Sequence, residues 1–264
     1  MFDARLKDLI QEGRMYDLGQ PLYPGIPHHP LHPPFAYIMA RKHGDVHYEK
    51  GGSSANDLFV MGSHTGTHLD AVGHISKNGL LFGGVQAKDE QDYEKGLLSH
   101  GIDETPPIFA RGVLLDVPAA FEVDILEKTH AISAEDIQKT LAYEGVEVRT
   151  GDVVLIRTGW ARYWGDPDRF NDHSGVPGID LGAAKLLAEL GAAFVGADTT
   201  ACEVTPSKSL DVHTYFLAEK GIQIMEMLDL ETISKEKVYE FLFVAIPLKI
   251  RGATGSPIRP VAIR

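Results

Sequence analysis

Three features predict a mixed α/β domain: short apolar runs rich in β-branched residues, amphipathic helical segments with capping signals between them, and no break in composition that would mark a second domain. Residues 111–117 (RGVLLDV), 152–158 (DVVLIRT) and 193–197 (AFVGA) read as buried strands. Ser133, with Asp136 three residues on, opens a helix to about Tyr143 that Gly145 closes. Asp180 caps the helical run LGAAKLLAEL, and Gly191 stands at its exit. A further helix begins near His213 and ends at Gly221, followed by a strand over 222–227. Residues 239–250 read as one long strand and 261–263 as a last one. The glycine-rich stretch 252–257 reads as a tight turn between them. Residues 1–264 are thus expected to form one domain.

The 264 residues are 44% hydrophobic, ample for a buried core. With 37 acidic against 25 basic residues the net charge is −12, which repels a phosphate backbone. Lys249, Arg251, Arg259 and Arg264 sit among strand-like apolar positions rather than in a basic tract, so no nucleic-acid partner is expected. No apolar run reaches the roughly eighteen residues of a membrane-spanning helix, and the opening segment carries charges where a signal peptide would be apolar. A lone cysteine, Cys202, fits a reducing compartment, and the expected location is cytoplasmic. No dinucleotide-binding glycine pattern, P-loop or G-x-S-x-G elbow occurs, which argues against nucleotide chemistry and a serine hydrolase. Residues 20–35 (QPLYPGIPHHPLHPPF) hold six prolines with His28, His29 and His32. This is an extended arm that either covers a pocket or lies stiffly on the surface.

The densest chemistry lies in residues 64–74, HTGTHLDAVGH, with histidine, histidine, aspartate and histidine at i, i+4, i+6 and i+10. A helix would put His64 and His68 on one face, but Thr65, Gly66 and Thr67 are poor helix formers, and the glutamate of helical H-E-x-x-H sites is absent. A straight strand would part the two imidazoles by roughly 13 Å, too far to share an ion about 2.1 Å from each nitrogen. The backbone must bend, and Gly66 permits it. His64, His68 and Asp70 then make an open ligand set with room for water. A divalent ion there lowers the pKa of its water toward ~7 and polarises a carbonyl. His74 is placed to carry the proton as general base or acid. The best further candidates are His213 and Glu226, because Glu226 falls in an apolar strand where a carboxylate is costly without a cation. On the residues alone, a solvated helix start for His213 and an edge-strand carboxylate for Glu226 stay open. Asp198 could orient a ligand histidine or form a turn; Cys202 reads as a buried hydrophobe, and Trp160, Tyr163 and Trp164 as core.

At these residues the sequence resembles the cyclase-like metal hydrolase family, which contains bacterial kynurenine formamidase and isatin hydrolase. The stretch HTGTHLDAVGH is similar to that family's H-x-G-T-H-x-D-x-x-x-H signature. The opening DLGQPLYPGIP (17–27) and the closing AIPLK (245–249), with Gly252, Gly255, Ser256, Pro257 and Arg259, resemble its two ends. The likeness runs from about Tyr16 to the C-terminus. It implies a mixed swivelling β/β/α domain with a central barrel-like sheet, in homodimers or larger assemblies such as tetramers. It also implies one or two ions of zinc or manganese per chain, held by His64, His68 and Asp70, with Asp70 able to bridge two. His74 would be the proton shuttle. His213 and Glu226 would complete a second metal position, or Glu226 would act on the water if one ion binds. Two features depart from the formamidase pattern: His28-His29-Pro30 stands where those chains carry a tryptophan, and Val72 stands where the family often has proline. The extra residues 42–57 and the GGV at 83–85 look like the longer branch with isatin hydrolase. The expected activity is hydrolysis of a formamide, cyclic amide or lactone carbonyl in a small, aromatic substrate by metal-activated water. Its rivals are an arylformamidase specific for N-formylkynurenine, a metal- or ligand-binding module without turnover, and a purely structural ion.

Overall fold

The computed structural model describes residues 4–172 and 174–264. Among these, nine strands form one strongly curled half-barrel sheet. They are β1 (Met15–Asp17), β2 (His68–Asp70), β3 (Ile108–Asp116), β4 (Val153–Arg157), β5 (Phe194–Ala197), β6 (Gln223–Glu226), β7 (Glu240–Ala245), β8 (Gly255–Pro257) and β9 (Val261–Ile263). Their spatial order is β1-β9-β7-β3-β4-β5-β6-β2-β8. Strands β3 to β6 run parallel and the remaining pairings are antiparallel. The mixed α/β class and the barrel-like sheet are therefore as expected.

A parallel strand is covered on both faces, which is why these segments read as unbroken apolar runs. Val113, Leu115, Val154, Ile156 and Val195 pack toward helices α1 (Ala134–Glu144) and α2 (Leu181–Leu190). The alternate residues Leu114, Val153, Leu155 and Met225 meet Phe241 and Phe243 on the opposite face. The helix ends follow their caps. Ser133 and Asp136 form a reciprocal capping box, and Gly145 leaves α1 at φ 69°. The Asp180 side chain accepts from the Ala183 N–H, and Gly191 leaves α2 at φ 95°.

Four expectations need correction. β3 begins at Ile108 rather than Arg111, because the antiparallel partner β7 extends the ladder backward from the parallel core. The long strand expected over 239–250 stops at Ala245; Pro247 has no N–H to donate, and Ile246, Leu248 and Ile250 lie exposed beyond the sheet. The stretch 252–257 is more than a turn, since its second half is β8, paired with β2. The helix placed at His213 starts at Asp211 and is wound more widely, as a π-helix, over Thr214–Lys220 before Gly221 ends it at φ 68°.

The proline-rich arm is anchored rather than loose. The Gln20 N–H donates to Thr67 Oγ1 at 2.9 Å, and Trp164 Nε1 donates to the Pro21 carbonyl at 3.1 Å. Ile26 from the arm joins Trp160, Trp164, Phe170 and Met227 in a satellite core, as expected of those tryptophans, with Tyr163 packed at its margin. Among the described residues no helix is long and apolar enough to cross a membrane.

Candidate metal centre

Polar residues collect at the carboxyl ends of the parallel strands, the usual place for a site in such sheets. Glu226 ends β6, and its cross-strand partner in β2 is His68. Paired residues share a face, so the two side chains meet. The intervening Leu69 and Met225 point the other way, into the core. Asp70, two residues after His68, returns to the site face. The bend expected before β2 is present: Gly66 has φ 67°, and a Cβ there would lie 2.4 Å from Leu22 of the arm. His64 comes back over the sheet above Gly255, where a Cβ would lie 2.7 Å from the imidazole Cε1, so only glycine leaves room for the ring. His74 follows in a single tight turn, Val72–His74. His213 enters from the helical segment that packs over β6.

All six residues converge. His64 Nδ1 lies 2.7 Å from Asp70 Oδ1, and its Nε2 lies 2.9 Å from Thr254 Oγ1. His68 Nδ1–H donates to the Gly66 carbonyl at 2.8 Å, which turns Nε2 toward Asp70 Oδ1 (3.5 Å) and Glu226 Oε2 (3.4 Å). His213 Nε2 is 3.1 Å from Glu226 Oε1. Two trios have ligand atoms within 4.8 Å of one another, His64–Asp70–His74 and Asp70–His213–Glu226, so Asp70 belongs to both. Glu226 lies between two strands rather than on an edge, and His213 is buried rather than solvated. The His64 and His74 rings are 4.2 Å apart. The His32 ring lies 5.1 Å from that of His64 and the His29 ring 5.0 Å from that of His32, both pairs tilted, so the arm reaches over the site.

The electrostatics invite a cation. Burial alone would depress the His68 imidazole, but Asp70 and Glu226 outweigh it and hold its pKa at about 10. Burial likewise opposes the charge on His213, which Glu203 and Glu226 raise to about 10. Asp70 and Glu226 resist burial and stay below the usual carboxylate range, Asp70 chiefly through His74 and His64 and Glu226 through His213 and His68. Protons on imidazoles thus supply the positive charge in which two buried carboxylates sit. A divalent ion replaces such protons when it binds. His74 differs: burial, only partly offset by Asp70, pushes it down to about 4, leaving a neutral ring at neutral pH.

The Cyclase family model matches residues 16–204, nearly three quarters of the 264 residues. The chain belongs to the cyclase family. Kynurenine formamidase of Bacillus thuringiensis subsp. konkukian is 27% identical over 245 residues, covering 93% of this chain and 95% of its own. Isatin hydrolase A from Ralstonia solanacearum superposes with a TM-score of 0.74 at 25% identity, over 95% of this chain and 92% of its own. A structure described as a novel cyclase superposes with a TM-score of 0.90 at 28% identity, over 98% of this chain and 89% of its own.

In this cyclase-family protein, the six residues singled out from sequence do share one site. Asp198 does not touch them. It ties strand ends together by accepting from Thr158 N–H and Oγ1 and from Gly159 N–H, and burial lifts its pKa to about 6. Cys202 is fully buried, where desolvation suppresses its thiolate. His28, His29 and His32 join neither ligand trio among the described residues. Sequence reasoning missed Thr254 beside His64, Gln223, which donates to the Asp70 carbonyl at 2.7 Å, and Glu203 behind His213. Glu203 carried a usable signal, a carboxylate directly after the apolar Cys202, ten residues before His213.

Proposed function

We propose that this cyclase-family protein is a metal-dependent hydrolase that opens the C–N bond of a formamide or cyclic amide, or the corresponding lactone ester, in a small aromatic molecule. The observation that carries this reading is the shared carboxylate: Asp70 sits in both ligand trios, with His64 on one side and His213 and Glu226 on the other. His68 completes the set through its contacts with both carboxylates. Nitrogen and carboxylate donors of this kind fit zinc or manganese; one ion would draw on either trio, and two would have Asp70 as their common donor residue. Such an ion, when bound, supplies Lewis acidity and a water acidic enough to attack a carbonyl at neutral pH. The protein residues do the rest. His74, neutral at pH 7, accepts a proton on its free ring nitrogen and delivers it to the departing nitrogen or oxygen. Glu226 orients the attacking water when it is not occupied as a ligand. His29 and His32 of the arm shield the site from bulk solvent.

Metal analysis of the purified protein, paired with assays on N-formylkynurenine, isatin and simple lactones before and after chelation, tests this reading. One or two zinc or manganese ions and turnover that chelation abolishes are expected; activity indifferent to a chelator would sink it. The compactness of the His64–Asp70–His74 trio favours a second reading in which His74 is itself a ligand. His74→Ala separates the two: a proton carrier costs about 10²–10⁴-fold in kcat with metal retained, whereas a ligand takes metal with it.

We propose a homo-oligomer built on the hairpin Ala36–Arg41 with Asn56–Val60, a two-stranded sheet of its own. Ile38, Met39, Leu58, Phe59 and Val60 are each more than half exposed on it. Such a ribbon is marginal in water by itself. These side chains expose on the order of 500 Å² of apolar surface, against about 800 Å² per partner in a standard interface. We assign the hairpin to a second copy, forming a dimer or tetramer. Light scattering on Ile38→Asp/Phe59→Asp should show a smaller species than wild type, and a monomeric wild type at micromolar concentration would refute the assignment. A single, buried cysteine supports a cytoplasmic setting, and the one nine-stranded sheet supports a single domain over the described residues.

A further inference from the structure

We propose that Glu203 is a positioning residue that fixes the tautomer and orientation of His213 from behind and so sets the affinity of the metal centre. The proposal rests on the metal-dependent reading above.

Glu203 is only 2% exposed, between Cys202 and Val204. Among the described residues His213 is the basic side chain it reaches. Burying a carboxylate without lysine or arginine is costly, so its two oxygens need an explanation. Oε2 has one: it accepts the N–H of Val212 at 2.8 Å and that of His213 at 3.4 Å, at the start of the helical segment. Oε1 has no hydrogen-bond partner among the described residues and faces His213 Nδ1 at 3.6 Å. That nitrogen is likewise buried without a partner. Across the same ring, Nε2 lies 3.1 Å from Glu226 Oε1. One imidazole therefore stands in line between a carboxylate inside the site and one outside it.

A neutral imidazole carries a single N–H, and the nitrogen that holds it cannot also offer a lone pair. A carboxylate behind Nδ1 keeps the proton there and leaves Nε2 free to face Asp70 and Glu226. His68 is managed in the same way by other means, with Nδ1–H donated to the Gly66 carbonyl at 2.8 Å. Both imidazoles that touch Glu226 thus have an acceptor at Nδ1, a backbone carbonyl for one and Glu203 for the other. Capping alone does not account for Glu203, because serine or asparagine caps a helix start as well and leaves no second oxygen buried without a donor.

Glu203→Gln is the test, because an amide accepts through one oxygen only. If that oxygen caps the helical segment, the NH₂ group meets Nδ1–H donor to donor. The expected result is a 10–100-fold loss of zinc affinity, read by competition with a chromophoric chelator, and an altered visible spectrum in the cobalt-substituted protein. In a His213→Ala background the same substitution should change affinity no further. Unchanged affinity and spectrum with a lowered apo-protein Tm would overturn the proposal, leaving Glu203 as a cap; so would an equal affinity loss in the His213→Ala background. Wild-type protein that binds no zinc overturns the metal-dependent reading together with this one, whereas normal zinc binding by both proteins overturns this one alone. If Glu203→Gln does not fold, long-range ¹H–¹⁵N correlation on zinc-loaded wild type decides. A protonated Nδ1 on His213 supports the proposal, and an unprotonated one overturns it.

Discussion

At the ends of β3 and β4, Asp116 and Arg157 lie opposite each other in parallel register and meet at 2.8 Å; at the end of β6, Glu226 meets His68 and His213. Both clusters are buried, and β5 alone separates β4 from β6. The first is closed. Arg157 also donates to Glu231 through Nε and Nη2, at 2.7 and 3.1 Å, and to the Asp124 carbonyl, while Asp116 accepts from the Ala119 N–H and the Ser234 hydroxyl. A guanidinium cannot give up its proton, so this charge pair is a permanent strut. The second cluster uses imidazoles, whose protons leave and expose lone pairs. The same end of one sheet thus carries one charge cluster built to stay and another built to be loaded.

Arg157→Leu should break the closed cluster and give the largest loss of stability. It strands the buried Asp116 carboxylate beside Glu231, a situation that costs about 3–5 kcal/mol. Urea unfolding measures the loss, and turnover per folded chain should hold, since Arg157 touches no candidate ligand among the described contacts. A loss under about 1 kcal/mol would mean the cluster is no strut. Asp70→Asn is the matched change in the loadable cluster. His68 can shed its proton once Asp70 is neutral, so the metal-free protein should lose no more than about 1–2 kcal/mol while zinc binding and activity disappear. If Asp70→Asn destabilises the metal-free chain as much as Arg157→Leu does, the contrast fails.

The two clusters also differ in how far the sequence reveals them. Residues 64–74 lie together in the chain, and Glu226 stands out as a charge inside an apolar run, so the loadable site could be listed residue by residue. Asp116 and Arg157 are 41 residues apart and become partners only through the β3–β4 register. The parallel core was readable because burial on both faces leaves continuous apolar stretches, and α1 and α2 because their caps are local. β2 and β8 were not. Each is three residues long, and their pairing joins positions far apart in the chain, Asp70 with Gly255 and His68 with Pro257. The glycine that suggests a turn at Gly255 is required for another reason, the imidazole of His64 lying over it. Thr254 was invisible for the same cause, and Glu203, for all that a carboxylate after Cys202 stands out, could not be assigned to His213, since each acts on a histidine brought near by folding.

The smallest effect belongs to Glu144, which shows that even the closed cluster carries one titratable fault. Its Oε1 accepts the Asp116 N–H at 2.6 Å, while Oε2 is buried without a partner among the described residues. Burial, aided by the Asp116 charge and only partly offset by that hydrogen bond, raises its pKa to about 8. Below its ordinary value of 4.5 the group is protonated in folded and unfolded chains alike and contributes nothing to the pH dependence. Between there and about 8 the unfolded chain releases the proton while the folded one keeps it, so stability falls as pH rises. Above about 8 both forms are charged and the penalty is complete. Glu144→Gln keeps an oxygen for the Asp116 N–H and removes the charge. Its Tm should match wild type near pH 4.5, rise above it progressively through neutrality, and hold a constant lead of a few degrees beyond pH 8.5, as read by calorimetry across that range. A difference that does not change with pH would show that Glu144 ionises in the folded protein as it does in the unfolded chain, with no penalty from burial.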